Sequence, residues 1–209
     1  MSQPKFNSHP VPIKLATTDS LKGFGRIVTD FESAEVEIVT WPAPEWRPVV
    51  PGTGNEGGIT QGDFEMEWRG EVLHALNHAV NRSYITGWSV NPSEAREDTI
   101  VHPSERKFLY THEANYHPDG GQIFFSRNNE PFVALLALPG DDITPESFHA
   151  FYFDGSFGIH INPGVWHQPL FPINNRVTFN DKQGKVHACI ACNFVEEFGV
   201  YLQVSLLKP

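Results

Sequence analysis

The side chains able to do chemistry in this chain gather in two short stretches. The first holds His112, Glu113, Asn115 and His117, then Asp119-Gly120-Gly121 and Gln122. Asn115 and His117 are two apart and so share one side of an extended segment. The Gly-Gly turn frees the backbone to fold back, and a strand pair would converge Asn115, His117 and Gln122 on one interior point. The second stretch, Gly158 to Leu170 (GIHINPGVWHQPL), puts His160 and Asn162 on a common face, turns at Pro163-Gly164, and carries Trp166-His167 before Pro169. Paired strands would bring His167 to His117. Imidazole titrates near neutral pH, so His117 and His167, with His160 next, are the acid–base candidates. Asn115, Gln122 and Asn162 would orient a polar substrate by donating to its oxygens. Trp166 would wall the pocket, or equally sit in the core. If a metal binds, it falls to His117, Gln122 and His167, although carboxamides offset little of a dication's charge. The plain alternative is that His117 and Gln122 only satisfy hydrogen bonds inside the fold, yet such residues seldom gather on interior positions without a ligand.

Strands must position these groups. Phe64, Met66 and Trp68 alternate with Asp63, Glu65 and Glu67, the period-two pattern of a half-buried strand. Phe124-Phe125, Phe132 to Leu138, Phe151 to Phe153, Ile159 to Ile161 and Val186 to Val195 continue it between Gly, Pro, Asn and Asp turns. Helices are few. Thr18 to Lys22 has an N-cap candidate and is stopped by Gly23 and Gly25, and Thr144-Pro145-Glu146 opens a brief helix. Many short strands at regular spacing predict an all-β closed or double-sheet barrel. Trp41 to Gly62, where Pro and Gly crowd and periodicity fails, reads as a long loop within one domain spanning 1–209.

The chain's 209 residues carry 15 Lys and Arg against 25 Asp and Glu, a formal charge of −10. That field, with no basic cluster in it, argues against a nucleic-acid partner. No apolar run nears the roughly 18 residues of a membrane span, and the start lacks a signal-peptide apolar block, so a cytoplasmic protein is expected. Cys189 and Cys192 cannot staple a secreted fold, and on an alternating strand they face opposite sides, which predicts buried structural thiols. His74 and His78 lack the glutamate of a metalloprotease helix, and no nucleotide or nucleophile-elbow motif occurs. Arg106 and Lys107, just before the first cluster, could meet an acidic substrate or form a solvated edge.

The spacing Asn115-x-His117-x4-Gln122, followed by Pro163-Gly164-x2-His167, resembles the two cupin motifs. Residues 112–125 (HEANYHPDGGQIFF) and 158–171 (GIHINPGVWHQPLF) resemble the most characteristic stretches of the ureidoglycolate lyase family, with weaker similarity over 13–28 and 84–92. The resemblance implies a cupin-like double-stranded β-helix, or jelly-roll barrel, usually homodimeric. It further implies cleavage of ureidoglycolate to glyoxylate and urea within purine and allantoin breakdown, and an association with nickel. In the family pattern Glu and Arg stand where this chain has Asn115 and Tyr116, and His stands at the places of Asn162 and Gln168. An amide cannot take a proton at neutral pH. The barrel is therefore expected to persist while the substrate or reaction shifts toward a related small polar carboxylate. Two alternatives stay open: a non-catalytic metabolite-binding cupin and a metal-dependent cupin isomerase or oxygenase.

Overall fold

Along Arg176–Val186 the odd positions Val177, Phe179, Asp181 and Gln183 are buried and the even ones between them are less so. This is what a strand with one face inward requires. The structure, a computed structural model, describes residues 6–40, 42, 45–54 and 56–209. Arg176–Val186 pairs antiparallel on both flanks, with Glu56–Arg69 (Phe179 opposite Phe64) and with Gln122–Ser126 (Asp181 opposite Phe124).

These strands centre a ten-stranded sheet. On one side it continues through Val72–Asn77, Arg82–Trp88, Phe108–Thr111, Tyr201–Ser205 and Ser8–Pro10, and on the other through Gly158–Ile161 and Gly25–Val28. A second sheet runs Ile190–Asn193, Glu113–Tyr116, Trp166–His167, Phe132–Ala137, His149–Phe153, Ile13–Leu15, with Phe171–Pro172 also on Phe132–Ala137. Aromatic rings fill the space between the sheets. Phe132 of the second meets Phe179 of the first edge-on, 5.1 Å between ring centres, and Phe64 meets Phe124 at 5.4 Å. Each such buried phenylalanine contributes roughly 1.5–3 kcal/mol. The fold is all-β and cupin-like.

Among the described residues, helix is confined to Phe194–Phe198, capped by the Asn193 side chain and ended by Gly199 at φ 69°, and to two 3-10 turns. One of those, Pro145–Ser147, is the turn expected after Thr144. The helix expected at Thr18 to Lys22 is instead a turn. Thr17 and Ser20 exchange side-chain to backbone bonds of 2.9 and 3.0 Å, and Gly23 at φ 91° leads the chain into the next strand.

The loop expected over 41–62 is shorter than its composition suggests. Trp41, Ala43, Pro44 and Asn55 lie outside the described residues, but Glu56 to Gly62 already belong to the strand Glu56–Arg69. A ladder is made by backbone groups, so Gly62 pairs with Asp181 without supplying an alternating pattern, and Gly57 and Gly58 fall in the register shift between Glu56 and Ile59. The part that is loop is anchored. Arg47 N–H donates to Asp141 Oδ2 at 2.6 Å, its guanidinium meets Glu197 at 2.7 Å, and Cys189 N–H donates to Thr53 Oγ1 at 2.9 Å. Asp141 and Glu197 are thus structural partners of a buried arginine. A second segment, Asp30 to Val39, straps the outside of the larger sheet. Lys182 Nζ donates to the carbonyls of Phe31 and Ala34, and Gly121 N–H donates to Glu37 O at 3.2 Å.

Candidate active site

The first motif's strand, Glu113–Tyr116, lies between Trp166–His167 and Ile190–Asn193, with Asn115 opposite both His167 and Ala191. Residues of one parity, Glu113, Asn115 and His117, therefore face the same cavity. The turn 119–121, gripped by the strap, returns the chain so that Gln122 enters the larger sheet opposite Gln183 and Ile161. The result is a cavity of about 470 Å³ whose wall includes Asn115, His117, Gln122, His167, Gln183 and His187.

Three imidazoles gather there. The rings of His117 and His167 are 5.1 Å apart between centres, and those of His117 and His187 are 4.2 Å apart. The Ala188 carbonyl can only accept, so His117 Nδ1, 3.0 Å away, carries the hydrogen and Nε2 keeps its lone pair. His117 is held well below the ordinary 6.5 by burial, and next by the neighbouring His187 and His167. Burial also lowers His167 to about 4 and His187 to about 3. His167 touches two acceptors, Val165 O through Nδ1 at 2.8 Å and Gln122 Oε1 through Nε2 at 3.3 Å. A proton added to its ring would therefore find both partners in place. His187 Nε2 accepts from the Gly184 N–H. Beneath Gln122 lies the buried carboxyl of Asp181. Gln122 Nε2 donates to Asp181 Oδ1 at 2.9 Å and to Gln183 Oε1 at 2.7 Å, while Asp181 Oδ2 has no partner among the described residues. Burial raises Asp181 to about 7. The Tyr84 hydroxyl, also in the wall, is pushed above its ordinary 10 by burial and stays a hydrogen-bond donor.

Of the residues singled out from sequence, Asn115, His117, Gln122 and His167 come together in this wall, and others do not. His160 lies on the far side of its strand. Ile159 and Ile161 occupy the core, so parity sends His160 outward, where Nε2 meets Glu37 Oε2 at 2.6 Å under the strap. Asn162 falls at the following turn, its amide 3.5 Å from Gly23 O. Trp166 is a core residue, fully buried, edge-on to Tyr116 at 4.7 Å and donating to Gly140 O at 2.8 Å. Arg106 is likewise structural, over the Trp68 ring and bonded to Asn175 Oδ1 at 2.7 Å. Cys192 is buried as expected, whereas Cys189 borders the cavity, its thiol pushed up to about 11 by burial. His187, Tyr84, Arg82 and Lys185 enter the wall without having been singled out. Only the inward parity of Asp181 and Gln183 hinted that the strand leading to His187 faced this site.

The sequence profile of the ureidoglycolate lyase family matches residues 69–200. This chain belongs to the ureidoglycolate lyase family. A ureidoglycolate lyase of Pseudomonas aeruginosa (strain LESB58) is 34% identical over 138 residues, 63% of this chain and 82% of the relative. One of Pseudomonas paraeruginosa (strain DSM 24068 / PA7) is 28% identical over 138 residues with the same shares covered. One of Salmonella newport (strain SL254) is 38% identical over 63 residues, 30% of this chain and 39% of the relative. The span matched by the ureidoglycolate lyase profile contains all three cavity histidines but not Thr53 or Phe64 of the wall.

The nickel associated with ureidoglycolate lyases does not suit this donor set. Among the described residues no group of three or more His, Cys, Asp or Glu side chains is placed to hold a metal ion. His187 has committed Nε2 to a backbone N–H, and beside the imidazoles of His117 and His167 the wall offers the neutral amides of Asn115, Gln122 and Gln183. That set leaves a dication's charge largely uncompensated.

Proposed function

We propose that this cavity cleaves ureidoglycolate, or a close ureido acid, into glyoxylate and urea. The observation that carries the reading is the meeting of His117 and His167, one from each motif, in the wall of one cavity. The reaction moves a proton from the hydroxyl to the departing nitrogen. As the O–H proton leaves, the hydroxyl oxygen forms the carbonyl of glyoxylate. The C–N bond breaks with its electron pair on nitrogen, and urea departs once that nitrogen is protonated. The proton lost equals the proton gained, so one imidazole completes the cycle. His117 is suited to it, because Nδ1 is fixed on Ala188 O and the Nε2 lone pair makes no hydrogen bond among the described residues. Burial keeps it neutral and ready to accept. Asn115 and Tyr84 offer donors to the substrate's oxygens without competing for the proton, while Gln122, its amide hydrogens given to Asp181 and Gln183, holds the floor in place.

A second reading, a non-catalytic binder of the same metabolite, draws on Asn115, a carboxamide where the family pattern has Glu. Purified protein incubated with ureidoglycolate separates the two. Release of urea and glyoxylate in equal amounts, lost in His117→Gln with the circular-dichroism spectrum retained, is the expected result. Binding without release, or wild-type rates in the variant, would overturn the catalytic assignment.

A further inference from the structure

Two cations in the cavity wall have no ion-pair or side-chain hydrogen-bond partner among the described residues. The other arginines are all held. Arg26, Arg47, Arg69, Arg96, Arg127 and Arg176 meet carboxylates, and Arg106 meets an amide and two carbonyls. Arg82, by contrast, makes no ion pair or side-chain hydrogen bond among the described residues, and neither does Lys185, yet both border the cavity. In a chain of net charge −10, unengaged cations would be expected to find acidic neighbours readily.

Backbone features aim both side chains. The ladder between Arg176–Val186 and Glu56–Arg69 shifts register between Gly184 and Val186, which sets Lys185 alone against Gly57 and Gly58 of the bulged partner strand. Bulges re-aim a side chain out of the regular alternation. This one is locked by the histidine cluster. A Cβ at Gly184 would lie 2.3 Å from His187 Cδ2, and the Gly184 N–H donates to His187 Nε2. Arg82 begins the strand Arg82–Trp88 opposite Asn77, another wall residue. Its charge reaches inward far enough to favour the anionic forms of Tyr84 and Cys189. The opposing charge in the same wall is Glu113, so the mouth keeps a net positive balance.

We infer that Arg82 and Lys185 form the subsite that captures the carboxylate of the substrate, so that the cavity selects small organic anions. The inference rests on the proposed reaction for the substrate's identity, but the charge requirement can be read without turnover. The probe is oxalate, a small dianion with no C–N bond to cleave, titrated calorimetrically into the wild type, Arg82→Gln, Lys185→Gln and the double variant at low and high salt. Each single variant should weaken oxalate about tenfold and the pair about a hundredfold, with the wild type's salt dependence flattened in the double variant. With ureidoglycolate the loss should fall on KM rather than kcat, and Lys185→Arg should restore it. Both residues are exposed, so the variants should fold as the parent does. If the wild type fails to bind oxalate, or the double variant binds it with parental affinity, the subsite is refuted. If oxalate binds as expected but ureidoglycolate is not cleaved, the subsite stands and the proposed reaction falls.

Discussion

Replacing Asp181 by asparagine tests how strongly the floor of the cavity resists charge. Asp181 is fully buried, receives a hydrogen bond from Gln122 at 2.9 Å, and leaves Oδ2 unpartnered among the described residues. Burial raises its pKa from 3.8 to about 7. An acid whose folded pKa is raised binds more protons when folded, so it erodes stability as pH climbs from the unfolded value through the folded one. The gap from 3.8 to about 7, at about 1.36 kcal/mol per pH unit, makes the ionised carboxylate cost about 4 kcal/mol of stability above neutrality. Asparagine keeps the oxygen facing Gln122 and does not titrate. Relative to wild type, Asp181→Asn should therefore gain stability as pH rises, the difference growing by about 3–4 kcal/mol between about pH 4 and 8. Urea unfolding followed by tryptophan fluorescence at a series of pH values measures this. Histidine protonation acts on both proteins and cancels in the difference. A difference that stays flat with pH, or that turns against the variant in alkali, would refute the reasoning.

Three further outcomes follow from the same geometry. Because burial holds His117 well below 6.5, the acid limb of kcat/KM should lie below the ordinary imidazole range; a limb at 6.5 or higher in the pH profile would contradict the assignment. Asn115→Glu places an anion beside His117 and His167, so nickel should bind at least about tenfold tighter than to the parent in calorimetry, and equal affinities would argue against charge as the missing ingredient. Tyr116→Phe removes the 2.6 Å bond from the phenol to Asp141 and should cost about 1.5–3 kcal/mol in chemical denaturation, since the acceptor is a buried carboxylate. No measurable change would mean that Arg47 N–H alone satisfies Asp141.

The strands could be read from the sequence wherever side chains carried the signal. Phe64, Met66 and Trp68 alternate visibly and are buried as that alternation requires. The same strand's opening turns from glycines and exposed residues into a ladder held by backbone alone, and so it looked like loop. Asn115, His117, Gln122 and His167 were legible as a group because two-residue spacing and a Gly-Gly turn restrict where they can point. His160 misled for the opposite reason. Every residue of Gly158–Ile161 is buried, so burial alone distinguishes no face, and only the core preference of Ile159 and Ile161 tells which way the histidine turns. His187 and Lys185 depend on a register shift at Gly184, which no local periodicity announces.

The segment carrying Gly52 and Thr53 roofs part of the cavity, yet it is bolted at Arg47 to Asp141 and Glu197 and at Thr53 to Cys189. Two such anchors restrain this part of the wall. A wall tied down on that side would keep its width, and the cavity would then sort molecules by size before any recognition begins.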